Sequence, residues 1–163
     1  MKKAITVEHV SVTIKSSFDR FTFRLEKALG ILKPSALQAL GAVPASMASY
    51  LNNTSDEKEL VLFNIFSQAD LSAKKNKRKI KQYQVGNPEI MYRMTARHKA
   101  TGLYFPIQLV VYEKPDRKVV VEYDLPSSVF GRFNDAEIHS DALILENNIT
   151  NLIREAEKEN HIG

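Results

Sequence analysis

Asn87, His98, Tyr104, Tyr112, Tyr123, Asp124 and Ser127 are the side chains of this sequence best equipped for chemistry, and all fall between residues 87 and 127. An amide, an imidazole, three phenols, a carboxylate and a hydroxyl converging on an apolar wall would suit a small polar or aromatic ligand. Each also has an ordinary structural use. Asn87 can cap a helix, Ser127 can open a turn, and the tyrosines can fill a core while their hydroxyls reach water. His98 is the candidate general base, because imidazole exchanges protons near neutrality. It sits between Arg97 and Lys99, a context that favours exposure. Glu122 and Asp124 share one strand face at a spacing of two, which most simply marks a solvated edge. We expect a ligand-binding site and assign no catalytic residue; an enzyme working through His98 is an alternative.

Several chemistries are excluded or unsupported by residue type. The chain has no cysteine, so disulfides, thiolate metal sites, iron–sulfur clusters and cysteine nucleophiles are ruled out. Its four histidines lie at positions 9, 98, 139 and 161, and no two have metal-ligand spacing. No dinucleotide fingerprint, phosphate loop or nucleophile elbow is present. We expect neither a metal nor a cofactor.

The formal net charge is +4, and its distribution says more than its size. Lys74, Lys75, Lys77, Arg78, Lys79 and Lys81 form a basic segment, 74–81, without an acid; removing those six charges leaves the rest of the chain at −2. Such a segment could hold nucleic-acid phosphates or an anionic membrane surface, the principal alternative to small-ligand binding. Single-stranded nucleic acid would call for aromatic platforms among the charges, and only Tyr83 lies nearby. The bland reading is a solvated loop whose lysines discourage edge-to-edge strand pairing. Residues 135–163 carry seven acids against Arg154 and Lys158. In a homodimer that acidic stretch could face the basic segment of a second copy.

The elements that must position these residues follow from periodicity. The length of 163 residues suits one domain, 1–163. Residues 4–14 alternate as a strand, with Ile5, Val7 and His9 on one face and Val10, Val12 and Ile14 on the other. Ser16 and Ser17 offer caps to a helix in which Phe18, Phe21, Leu25 and Ala28 form one apolar stripe, with Gly30 as its stop. Residues 33–57, with Pro34, Gly41 and Pro44, read as a small helical insertion. Residues 59–68 are apolar on both faces, as in a central strand, apart from Asn64. A strand at 79–85 leads into a turn at Gly86-Asn87-Pro88 and a short helix. Residues 103–113 and 118–124 form a hairpin around Pro115. The last helix carries Ile138, Ala142, Leu145, Ile149, Leu152 and Ala156 as its apolar stripe, and Asn134 with Glu137 resembles a capping box. The order predicts an α+β fold: a mainly antiparallel sheet with two long helices packed on one face. No apolar run approaches the ~20 residues that span a bilayer, and no apolar segment follows Met1-Lys2-Lys3 as in a signal peptide. The expected setting is cytoplasmic.

The motifs from Gly86 onward carry a resemblance. Gly86-Asn87-Pro88, Met94-Thr95-x-x-His98, Gly102-Leu103-Tyr104-x-Pro106 and Glu122-Tyr123-Asp124-x-Pro126-Ser127-Ser128-x-Phe130-Gly131 resemble the domain of unknown function 302 family. The likeness covers about residues 4–30 and 60–156 and is strongest over 85–133, so the 33–57 segment lies outside it. It implies a TBP-like fold with β-α-β4-α order and a homodimer, and it implies no settled activity.

Overall fold

The computed structural model describes residues 2–31, 59–67 and 79–158. Their elements run β1 (His9–Ile14), α1 (Phe18–Ala28), β2 (Gly30–Ile31), β3 (Val61–Ser67), β4 (Ile80–Gly86), α2 (Pro88–Arg97), β5 (Ile107–Glu113), β6 (Val119–Asp124), α3 (Pro126–Phe130) and α4 (Ala136–Glu157). Short 3₁₀ helices at Lys99–Tyr104 and Gly131–Phe133 follow α2 and α3. The described strands join in one sheet ordered β1-β6-β5-β4-β3-β2. β2 runs parallel to β3, and the other neighbours are antiparallel. The fold is α+β. Among the described residues no helix is long and apolar enough to cross a membrane. The segment expected as an insertion, 33–57, lies outside the described residues, as do Lys74, Lys75, Lys77 and Arg78.

Strand alternation sorts the sheet into two faces. Val10, Val12 and Ile14 of β1, Tyr83 and Val85 of β4, Ile107, Leu109 and Val111 of β5, and Val119, Val121 and Tyr123 of β6 belong to the core. The helices close that face. Phe18, Phe21 and Leu25 of α1 are buried, and so is every member of the α4 stripe from Ile138 to Ala156. Each large apolar side chain among them contributes about 1.5–3 kcal/mol of burial, so the two stripes fix how α1 and α4 lie on the sheet. Tyr83, fully buried, donates its hydroxyl to Glu26 of α1 at 2.8 Å. Lys81 reaches the same carboxylate at 2.8 Å.

Several boundaries differ from the sequence reading for identifiable reasons. β1 begins at His9, not Ala4, because its partner β6 ends at Asp124. Pro126 opens α3 there, leaving residues 4–7 no strand to pair with. Gly30 does not stop α1 but enters β2, its N–H donating to the Leu60 carbonyl at 2.9 Å. β3 is not central: its outer neighbour is the two-residue β2, and Phe66 is 53% exposed. Asn64 interrupts β3 at a shift of register between Leu62 and Asn64. Its side-chain oxygen accepts from the Ile65 N–H at 2.9 Å, a local bond suited to a bulge. Gly102 lies inside a 3₁₀ helix, and β5 starts at Ile107 after a cis Phe105–Pro106 peptide. The cap of α4 is Asp135, not Asn134, which adopts a left-handed φ of 55°.

Candidate functional site

The face of the sheet away from α1 and α4 is built of cross-strand rows. Asn64, Gln84 and Gln108 stand in register across β3, β4 and β5, and His9 stands opposite Asp124 across β1 and β6. The next row holds Phe66, Gln82, Val110, Glu122 and Ser11. Beyond it lie Ile80, Tyr112, Val120 and Thr13. A polar band therefore crosses one end of this face.

At that end the chain builds a wall. The 3₁₀ helix 99–104 and the cis-proline segment bring Leu103, Tyr104, Phe105 and Pro106 beside α3, whose Pro126, Val129 and Phe130 complete a cavity of about 380 Å³. Its polar groups come from Gln84, Gln108 and Asp124, the ends of three strands. The volume lies in the range of small-molecule pockets. The aromatic wall is braced from behind. Phe105 and Phe130 lie 5.0 Å apart between ring centroids, Tyr104 meets Phe130 edge-on at 6.0 Å, and Phe133 packs against Phe130 at 6.4 Å. Arg132 hydrogen-bonds the Tyr104 hydroxyl and holds its guanidinium 4.0 Å from the centroid of that ring.

Beside the cavity, His9 is held between two carboxylates. Its Nδ1 lies 3.0 Å from Asp124 Oδ1, and its Nε2 lies 3.6 Å from Glu122 Oε2. Glu122 Oε1 accepts from the Tyr112 hydroxyl at 3.0 Å and from Ser11 at 3.2 Å. The bond to Asp124 raises the His9 imidazole above its ordinary pKa, with the Glu122 charge adding to the effect against partial desolvation. Desolvation works to raise Glu122, but the bonds from Tyr112 and Ser11 and the nearby imidazole outweigh it and hold the carboxyl low. Accepting that bond, Glu122 pushes the Tyr112 phenol up. Among the described residues no group of three or more histidines and carboxylates is placed to hold a metal ion.

The seven side chains expected to share a pocket do not all meet. Tyr104 and Asp124 line the cavity. Tyr112 is part of the same sheet face but two rows away, bound to Glu122. Asn87 caps α2, accepting from the Ile90 N–H at 3.1 Å while its amide donates to the Glu59 carbonyl at 2.9 Å. Tyr123 is 7% exposed in the core, and burial raises its phenol. Ser127 uses its backbone N–H to bind Glu146 of α4 at 2.7 Å. His98 is exposed, with its ring 4.7 Å from that of Phe133 and no side-chain hydrogen bond among the described residues. A general base needs a partner that orients its ring, and among the described residues His98 has only the Phe133 ring contact. Of the basic segment, Lys79 pairs with Asp19 at 2.7 Å and Lys81 with Glu26, both within the chain.

Sequence reasoning missed His9, Ser11, Gln84, Gln108 and Phe105. The alternation of β1 put His9 on the face opposite Val10, Val12 and Ile14, and that of β6 put Glu122 and Asp124 on one face. What brings them together is the β1–β6 pairing, over more than 100 residues of chain, and no local pattern encodes it.

The comparisons with known proteins agree with this architecture. The crystal structure of an uncharacterized conserved protein DUF302 from Bacillus stearothermophilus superposes with a TM-score of 0.63 at 16% identity, covering 91% of this chain and 97% of that one. At that identity the likeness concerns the fold alone. No curated protein matches the chain. The model of the domain of unknown function DUF302 matches residues 43–156, so it takes in most of the 33–57 segment that the sequence reading set outside the resemblance. With that match spanning well over half of its 163 residues, the chain belongs to the DUF302 family.

Proposed function

We propose that this protein binds a small molecule in the cavity between the 103–106 segment and α3. One observation carries the reading: the carboxylate of Asp124 and the amides of Gln84 and Gln108 border the same ~380 Å³ space as Tyr104, Phe105 and Phe130. A flat or apolar body against the rings, with a polar edge toward the strand ends, uses both halves of the lining. The reading assigns binding, not turnover. Its test is a fragment screen followed by ¹H–¹⁵N correlation spectra. Binding in the cavity moves the amides of residues 84, 103–105, 107, 108, 124, 125 and 127–130 together, and Val129→Trp, which fills the space, abolishes those shifts. Hits that scatter over the surface, or that survive Val129→Trp, overturn it.

A homodimer is part of the same proposal. Phe66, Ile80, Val110 and Tyr112 lie partly or largely exposed on the sheet face away from α1 and α4, and a second copy of that face is the occupant we favour. The cytoplasmic setting stays part of the proposal, and the cysteine-free composition suits a reducing compartment.

A further inference from the structure

Asp124 belongs to two environments at once. Its Oδ1 faces His9 Nδ1 at 3.0 Å, while the same side chain borders the cavity. Its Oδ2 accepts no hydrogen bond from the described residues, and the side chain is 59% exposed. Glu122 stands behind it, with Oε1 taken by Tyr112 and Ser11. Two carboxylates are thus offset by one imidazole, and among the described residues no lysine or arginine lines the cavity. Arg132 lies on the Tyr104 ring and is not among the lining side chains. Gln108 Oε1 is engaged by Gln82, whereas the Gln84 amide has no side-chain partner among the described residues and is able to present its oxygen.

We propose that the cavity takes a small organic cation, an amidinium or ammonium group on a flat apolar body, whose positive group replaces the His9 imidazole as the partner of Asp124. The inference rests on the cavity being a ligand site. An amidinium offers two parallel N–H donors that match a carboxylate edge. Gln84 supplies a further acceptor, and Phe105 and the Tyr104 face not covered by Arg132 favour a delocalised cation over a neutral group.

His9 then governs the exchange. Its ring faces Glu122 and Asp124 of β6, with Tyr112 of β5 behind Glu122; Ser11 and Thr13 share its face of β1, and Glu8 precedes it in the chain. A protonated imidazole holds Asp124 and repels an incoming cation. A neutral one releases the carboxylate. Cation binding therefore tightens as pH rises through the His9 titration, and binding expels a proton from the ring.

The probes are benzamidinium, benzamide and benzoate, one flat body with three charges, titrated into the full chain and followed by ¹H–¹⁵N spectra. Benzamidinium binds most tightly, and its affinity rises with pH by about tenfold for each unit by which it lowers the His9 pKa. His9→Gln flattens that pH dependence, and Asp124→Asn removes the preference for benzamidinium over benzamide; both variants are checked for an unchanged fold by circular dichroism. Equal or tighter binding of benzamide or benzoate at the cavity residues overturns the cation claim and leaves the site standing. A pH-independent benzamidinium affinity overturns the exchange with His9. If none of the three moves the cavity resonances at millimolar concentration, while fragments of other chemistry do, the ligand class is wrong. If no compound moves them, the site itself is wrong.

Discussion

His9 shows how much a single side chain owes to distant neighbours. Its ring is exposed, yet Asp124 and Glu122 lie 3.0 and 3.6 Å from its two nitrogens. Both carboxylates favour the protonated form, so the folded chain titrates this imidazole above the ordinary value of 6.5. A group whose pKa rises on folding stabilises the fold below its unfolded pKa, and the benefit fades as pH climbs through the folded value. His9→Gln should therefore lower the melting temperature slightly at pH 5.5 and not at all near pH 9. The difference is small because the pair is solvent-exposed. Thermal melts of both proteins across that range check it, and a gap that widens with pH would contradict the assignment. His9 was visible in the sequence as a strand residue and Asp124 as part of a solvated strand edge. Their contact was not, because a strand pattern states which way a side chain points and not which strand lies beside it.

At the scale of elements, apolar stripes were the most legible feature. The six residues that define the α4 stripe are all buried, since a period near four over 19 residues leaves only a helix with one wet face. Ends were harder. Asp135 rather than Asn134 caps α4, accepting from the N–H groups of Glu137 and Ile138 at 2.9 and 3.0 Å. The choice is tertiary: Arg97 at the end of α2 donates to both Asp135 carboxylate oxygens at 3.1 Å. Its guanidinium holds that carboxyl below the usual range. Asp135→Ala should destabilise the fold by about 1–2 kcal/mol, the upper part of the range for a lost cap. Asn134→Gly should be neutral or slightly stabilising, because glycine tolerates the left-handed backbone there. Chemical denaturation of the two variants separates them, and the reverse ranking would place the cap at Asn134. β3 was misjudged for a related reason. Its run of apolar residues reads as burial on both faces, but Phe66 is left largely exposed by a sheet that nearly ends beside it.

For the whole molecule, the sheet face away from α1 and α4 sets the next expectation. If two copies pair through it, Phe66→Lys places a charge in the contact and shifts sedimentation velocity from dimer to monomer. The same substitution leaves a monomeric protein unchanged, and a dimer that withstands it does not use this face. Dissociation should depend only weakly on salt, because the face is mostly uncharged away from the His9 cluster; strong salt dependence would return attention to the basic segment and the acidic C-terminal stretch. The sequence by itself determined the α+β class, the strand faces, the two packed helices and the hairpin, because each follows from local periodicity and turn chemistry within a few residues. It also excluded cysteine chemistry outright. Only the tertiary structure decided which of the suggestive residues meet. The pairing of β1 with β6 and the docking of the 103–106 segment against α3 join residues that are far apart in the chain. They set Tyr104 and Asp124 at one cavity and sent Asn87, Tyr123 and Ser127 to capping, core and backbone roles. Such long-range contacts depend on how whole faces bury one another, and that information belongs to no single stretch of sequence.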